Sequence, residues 1–214
     1  WNPRPRWPGV RKLSFTLIEW DVAHTIGGGL SNASYSVTPF GIEFESGDEL
    51  FVELSHEVDV PDAAFGVWER ETPAGAETVT IPARRYAWNR AMARFESSWS
   101  RPVSVEGDVS VGQFYDGTAT RAEIGVDLRA APHVIAGWGT EVEWVRLPQG
   151  RFAAQTMQAR LDYAYSPRLS TMLWMQWDNE SQRASLNARL HWIPKPGSDA
   201  YLVWDSSWPS GLDR

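Results

Sequence analysis

Glu141 and Glu143 stand two residues apart in the stretch "GTEVEWV". In an extended strand that spacing puts both carboxylates on one face, as a general acid/base pair requires. It serves a charged lining equally well, with Arg121 and Arg160 on flanking segments to balance it, and this second reading is the one adopted. The four histidines, His24, His56, His133 and His191, are scattered with no pair at metal-ligand spacing. The "HEVD" at His56 lacks the second His of a zincin helix, and its surroundings alternate like a strand. The "GGGL" at Gly27 is followed by no Lys-Ser/Thr and opens no helix, so it reads as a turn rather than a phosphate loop. Cysteine is absent, which removes thiolate metal sites, disulfides and cysteine nucleophiles. No nucleophile elbow or nucleotide fingerprint occurs, and the expectation is a chain that is not an enzyme and uses no cofactor or metal.

The elements that must position these residues are strands. Period-two alternation recurs along almost the whole chain, over 13–23, 29–44, 49–58, 86–99, 103–115, 118–130, 133–146, 152–165, 169–177, 184–192 and 199–206. Turn signals separate them, among them "ESGDE" at Glu45, "SRP" at Ser100, "DG" at Asp116, "AAP" at Ala130, "LPQG" at Leu147 and "PKPGSD" at Pro194. The pattern predicts an all-β antiparallel meander. A basic, Pro-rich lead-in of residues 1–12 precedes it, residues 207–214 form a tail, and the stretch 59–85 reads as a long projecting loop with room for a short strand. Two strands are less regular. "ASYSVTPFGIEF" needs a bulge near Pro39 to keep one face apolar, and "KLSFTLIEW" is apolar on both faces at Ile18.

Two solvents accept such alternation. In a soluble sandwich the apolar face is the core; in a transmembrane barrel it meets lipid, while the polar face lines a lumen. The polar face here carries charges of both signs deep in the strands: Arg94, Asp108, Arg121, Glu123, Glu141, Glu143, Arg160, Asp162 and Arg189. Counting across the turns puts Arg94 beside Asp108 and Arg121 near Glu141. Thirteen Trp in 214 residues need a reason to recur, and Trp favours boundaries between apolar and wet surroundings. Trp99, Trp138, Trp144, Trp177, Trp192 and Trp204 are the expected interface aromatics, with Trp177 and Trp192 at opposite strand ends. Strands of about nine residues fit a tilted membrane crossing. These features favour the barrel, with a soluble Trp-rich sandwich that stacks sugars as the alternative. The formal net charge of -7 argues against nucleic acid as a partner. No run of about eighteen apolar residues reads as a transmembrane helix. "WNPRPRWPGVRK" has no apolar h-region, and the start is expected to be a processed or truncated end.

The order "QFYDG", "VRLPQGRFAAQ", "RLDYAYSPRLSTMLWMQWDNES", "NARLHWIPKPGSDAYLVW" resembles the C-terminal barrel of a bacterial outer-membrane family of unknown function, over about Ser98 to Trp204; before it only "FESGDELFVEL" is similar. Full-length members of that family pair the barrel with an N-terminal β-sandwich like the family-nine carbohydrate-binding modules. The resemblance implies an outer-membrane location, the lipid bilayer as a partner, and glycan binding through a domain absent from this chain. It also implies further strands, since eleven is odd and single-chain bacterial barrels close with an even number. The expectation is a segment of a larger barrel serving as a pore, transport component or surface anchor, completed by missing strands of the same protein or by another subunit. A structural subunit of a larger membrane assembly is a further alternative. In that setting the sequons at Asn32 and Asn179 are inert.

Overall fold

A computed structural model describes residues 1–72 and 75–210. All regular elements among the described residues are strands: β1 (Val10–His24), β2 (Leu30–Phe44), β3 (Glu49–Asp59), β4 (Phe65–Thr72), β5 (Gly75–Ile81), β6 (Tyr86–Glu96), β7 (Val103–Phe114), β8 (Gly117–Ala131), β9 (Val134–Leu147), β10 (Gly150–Ser166), β11 (Leu169–Asp178), β12 (Arg183–Lys195) and β13 (Ser198–Pro209). Eleven of them form one antiparallel meander in the order β1-β2-β3-β6-β7-β8-β9-β10-β11-β12-β13, and β4 and β5 pair as a separate hairpin. The eleven expected strands are these eleven. The sheet is not closed into a barrel, and β1 and β13 are its edges.

The segment expected as a projecting loop is the β4–β5 hairpin. Its second strand, "GAETVTI", alternates polar and apolar from Thr78 to Ile81, and Trp68 pairs with Val79 across the hairpin. β1 starts inside the expected lead-in. The residues ahead of it lie along its edge, where Leu13 N–H donates to Pro3 O at 2.9 Å and Phe15 N–H to Trp1 O at 3.0 Å. At the other end β13 runs into the expected tail, of which residues 211–214 lie outside the described residues.

Register follows the alternation. β10, β11, β12 and β13 place Leu161, Leu173, Ala188 and Trp204 in one row, and Ala159, Met175, Leu186 and Ser206 in another. The rows between are polar: Gln158, Gln176, Ser185 and Ser207, then Arg160, Trp174, Asn187 and Asp205. The expected bulge near Pro39 falls between Val37 and Phe40, where proline has no N–H to give the ladder. The irregularity at Ile18 is a second shift, between Thr16 and Glu19. Gly112 has φ +155°, and a Cβ there would lie 2.4 Å from Asn89 O, so only glycine lets β6 and β7 approach at that point.

The chain divides into two compact units. The first holds Trp1–Ser98, Glu106–Ala122 and Val142–Ala153; the second holds Trp99–Val105, Glu123–Glu141 and the strands from Ala154 onward. Every buried hydrophobic side chain among the described residues is in the first, with Ile81, Tyr86 and Trp88 at its centre and Val67, Tyr115 and Leu147 against them.

Candidate functional site

The polar face of the first unit is a ladder of charges. β6 pairs with β3 without a shift, so Tyr86, Trp88, Arg90, Arg94 and Glu96 share one side of it. Arg90 donates to Ser110 Oγ at 2.8 Å, and its guanidinium lies 3.4 Å from Glu143 Oε1. Glu96 and Glu106 face each other across β6 and β7, an unfavourable pairing alone; Arg94 offsets it, with Nε 2.7 Å from Glu96 and Nη2 3.6 Å from Glu106. Asp108 is opposite Arg94 in register, as counted from the turn, and its nearer cation is Arg121 at 3.9 Å.

Burial on β7 runs opposite to a water-soluble strand. Asp108 and Ser110 are each 7 % exposed, while Val109 and Val111 between and beside them are 51 % and 48 % exposed. The charged side is the enclosed one. Here carboxylates and guanidinium groups pair with each other, as charges held away from bulk water must.

In the second unit Arg160 and Asp162 pair at 2.5 Å on β10. The Arg189 guanidinium sits 4.5 Å over the Tyr201 ring, whose other neighbour is the His191 ring, stacked at 4.4 Å. His191 Nε2 is 2.7 Å from Asp199 Oδ1. Glu123 and Glu141 lie half-buried on β8 and β9, Glu141 two residues before Glu143 on the same strand.

The aromatic positions divide. Trp138, Trp144 and Trp192 are about half exposed on their strands, and Trp99 sits in the turn between β6 and β7. Trp177 is the penultimate residue of β11, opposite Ala184, and donates to Ser210 Oγ at 2.8 Å. Trp204, expected at a boundary, stands mid-strand opposite Ala188. Trp208, opposite Ala184, shares the row of Trp177.

One end of the polar face in the first unit is apolar. Tyr86 and Trp88 occupy the side of β6 that carries Arg90 and Arg94, and Leu147 extends the Glu141–Glu143 side of β9. The β4–β5 hairpin lies on these residues, with Trp68 stacked on Phe152 at 5.0 Å. The expected turn at "DG" places Tyr115 in the left-handed region at φ +51°, which is strained for an aromatic residue. Edge-on contacts with Tyr86 and Phe65 and a 2.8 Å hydrogen bond from Tyr115 to Asp59 hold it there. Burial, then the Asp59 carboxylate, pushes its phenol well above the ordinary tyrosine value.

Arg90, Ser110 and the hairpin contact were missed in the sequence. Their signal was "YAWNR", which puts two large aromatics on the side where the next positions are charged. Among the described residues no group of three or more His, Asp or Glu is placed to hold a metal ion. No family model matches this chain, and comparison with curated proteins and with solved structures finds no match.

Proposed function

We propose that this chain is a segment of a bacterial outer-membrane β-barrel, with its apolar face on lipid and its charged face lining a lumen. It acts as a pore, transport component or surface anchor rather than as an enzyme. The observation that carries the reading is the inverted burial on β7, where Asp108 and Ser110 are enclosed and Val109 and Val111 are exposed. The apolar rows of β10 to β13 support it: Leu202 and Trp204 are 68 % and 65 % exposed, in a contiguous surface with Leu161 and Met175. A soluble protein rarely leaves so large an apolar patch in water, whereas lipid accepts it without penalty. The enclosed ion pairs Arg90–Glu143 and Arg121–Asp108 suit a lumen wall.

The two open edges of the sheet define the partners. In hydrocarbon each unpaired backbone group costs several kcal/mol, so β13, and β1 beyond the stretch that residues 1–3 cover, pair with further strands of the same protein or with another subunit. The second option is the structural-subunit reading, and both place the protein in a membrane. The resemblance to an outer-membrane family with a sugar-binding sandwich agrees with this, and would assign glycan binding to a separate domain. The test is extraction of the native protein from membranes. Release only by detergent is expected; release by alkaline carbonate would overturn the reading in favour of a soluble sandwich.

A further inference from the structure

We propose that the β4–β5 hairpin is a plug seated in one end of the lumen. The proposal rests on reading the polar face as a lumen wall. β6 and β10 begin, and β7 and β9 end, at the same end of the meander, because consecutive strands are antiparallel. The hairpin lies on that end of the first unit. Its inner side presents Trp68, Val79 and Ile81, which are 3 %, 2 % and 0 % exposed, while Glu69, Glu71, Thr78 and Thr80 on the other side meet solvent.

What the hairpin touches shows on which face of the sheet it lies. Ile81 clusters with Tyr86 and Trp88 of β6, Phe65 meets Tyr115 in the β7–β8 turn, and Trp68 stacks on Phe152 of β10. Tyr86 and Trp88 alternate with Arg90 and Arg94, and Phe152 is an even number of residues from Arg160 and Asp162. All of these belong to the charged side. A hairpin that projected into solvent, or lay on the lipid side, would touch the opposite set. Gly150 fits the seat closely: a Cβ there would lie 2.9 Å from Val79 Cγ2, so with Val79 in place a larger residue pushes the hairpin away. The next polar-face pair inward from Trp88 is Arg90–Glu143, so the charged lining begins directly behind an apolar stopper. Solutes cannot enter from that end while the hairpin is seated, and passage requires it to leave.

The chain has no cysteine, which gives a clean test. A Cβ built at Gly150 lies 3.9 Å from Val79 Cβ, within the range a disulfide accepts. Val79→Cys/Gly150→Cys in the full protein is expected to cross-link readily in native membranes; failure to cross-link would overturn the seat. Ion flux is then measured in planar bilayers. Loosening the seat with Ile81→Asp is expected to raise flux by about tenfold or more over wild type, through the population of undocked hairpin. Oxidised Val79→Cys/Gly150→Cys is expected to stay closed. Flux in Ile81→Asp no higher than wild type, or a cross-linked protein that conducts as well as Ile81→Asp, would overturn the plug. If carbonate releases the wild-type protein from membranes, the lumen reading itself fails, while cross-linking still reports independently whether the hairpin is seated.

Discussion

The hairpin end of the first unit and the apolar rows of β10 to β13 use the same kinds of residue to opposite effect. At the hairpin, Ile81, Val79 and Trp68 are enclosed by the chain's own aromatics. On β10 to β13, Leu161, Met175, Leu202 and Trp204 are left bare. The difference is one of layers. Apolar burial needs a second surface within contact distance, and at these residues the hairpin supplies one from within the chain. Where no element covers the sheet among the described residues, burial is left to the surroundings, and on β13 both faces are open, Tyr201 and Val203 as well as Leu202 and Trp204. On the proposed lipid reading, an apolar residue therefore contributes to stability in every medium at the first place and only in lipid at the second.

The largest effect should come from the enclosed region. Ile81→Ala removes a fully buried side chain and should cost about 2 to 5 kcal/mol in detergent and bilayer alike. Urea unfolding in both media checks this, and a loss that depended strongly on the medium would erase the contrast. Next is the bare face. Leu173→Arg, between Leu161 and Ala188, should cost about 2 to 4 kcal/mol in a bilayer, and Ser185→Arg on the charged face much less. Equal tolerance in a folding assay with lipid would sink the assignment of faces.

A smaller effect tests the charged side. Removing either Asp108 or Arg121 alone leaves a poorly solvated charge, so the double variant should be less damaged than the two single losses summed, with a coupling of about 0.5 to 3 kcal/mol. A double-mutant cycle without coupling would mean that this side is fully wet. The same cycle on Arg121 and Glu141 tells which neighbour of β8 carries the interaction.

Much of the sheet was legible because its signals are local. The "SRP" turn sets the register that brings Arg94 opposite Asp108, and Pro39 cannot donate to the ladder, so the bulge was forced at that point. What was not legible depends on residues far apart in the chain. Every strand inside a sheet has two neighbours, and counting across one turn from Arg121 looks toward Glu141 and overlooks Asp108 on the other side. The stretch after Val60 read as a loop because its prolines, alanines and glycines mask a short alternation. Its packing against Gly150 and Phe152 lies far beyond any sequence window. Trp204 lies near the end of the expected strand 199–206, whereas β13 continues to Pro209 and brings Trp208 nearer its end.

The smallest effect concerns Tyr115, where the enclosed region meets a turn. Its hydrogen bond to Asp59 should contribute about 0.5 to 1.5 kcal/mol, so Tyr115→Phe is expected to be mildly destabilising at neutral pH. The pH dependence separates this from a mere packing change. The folded phenol titrates above its ordinary value of about 10, first because burial disfavours the phenolate and then because the Asp59 carboxylate repels it. A group whose folded pKa is raised binds its proton more tightly in the native state. Its contribution is therefore complete below about pH 10 and is lost as pH rises toward the folded value. Thermal melts of wild type and Tyr115→Phe from pH 7 to 11 should differ by a constant up to about pH 10, and the gap should then narrow as the wild type loses its advantage. A gap that stayed constant to pH 11 would mean that Tyr115 is as solvated as an ordinary turn residue, and that the enclosure by the hairpin stops short of this turn.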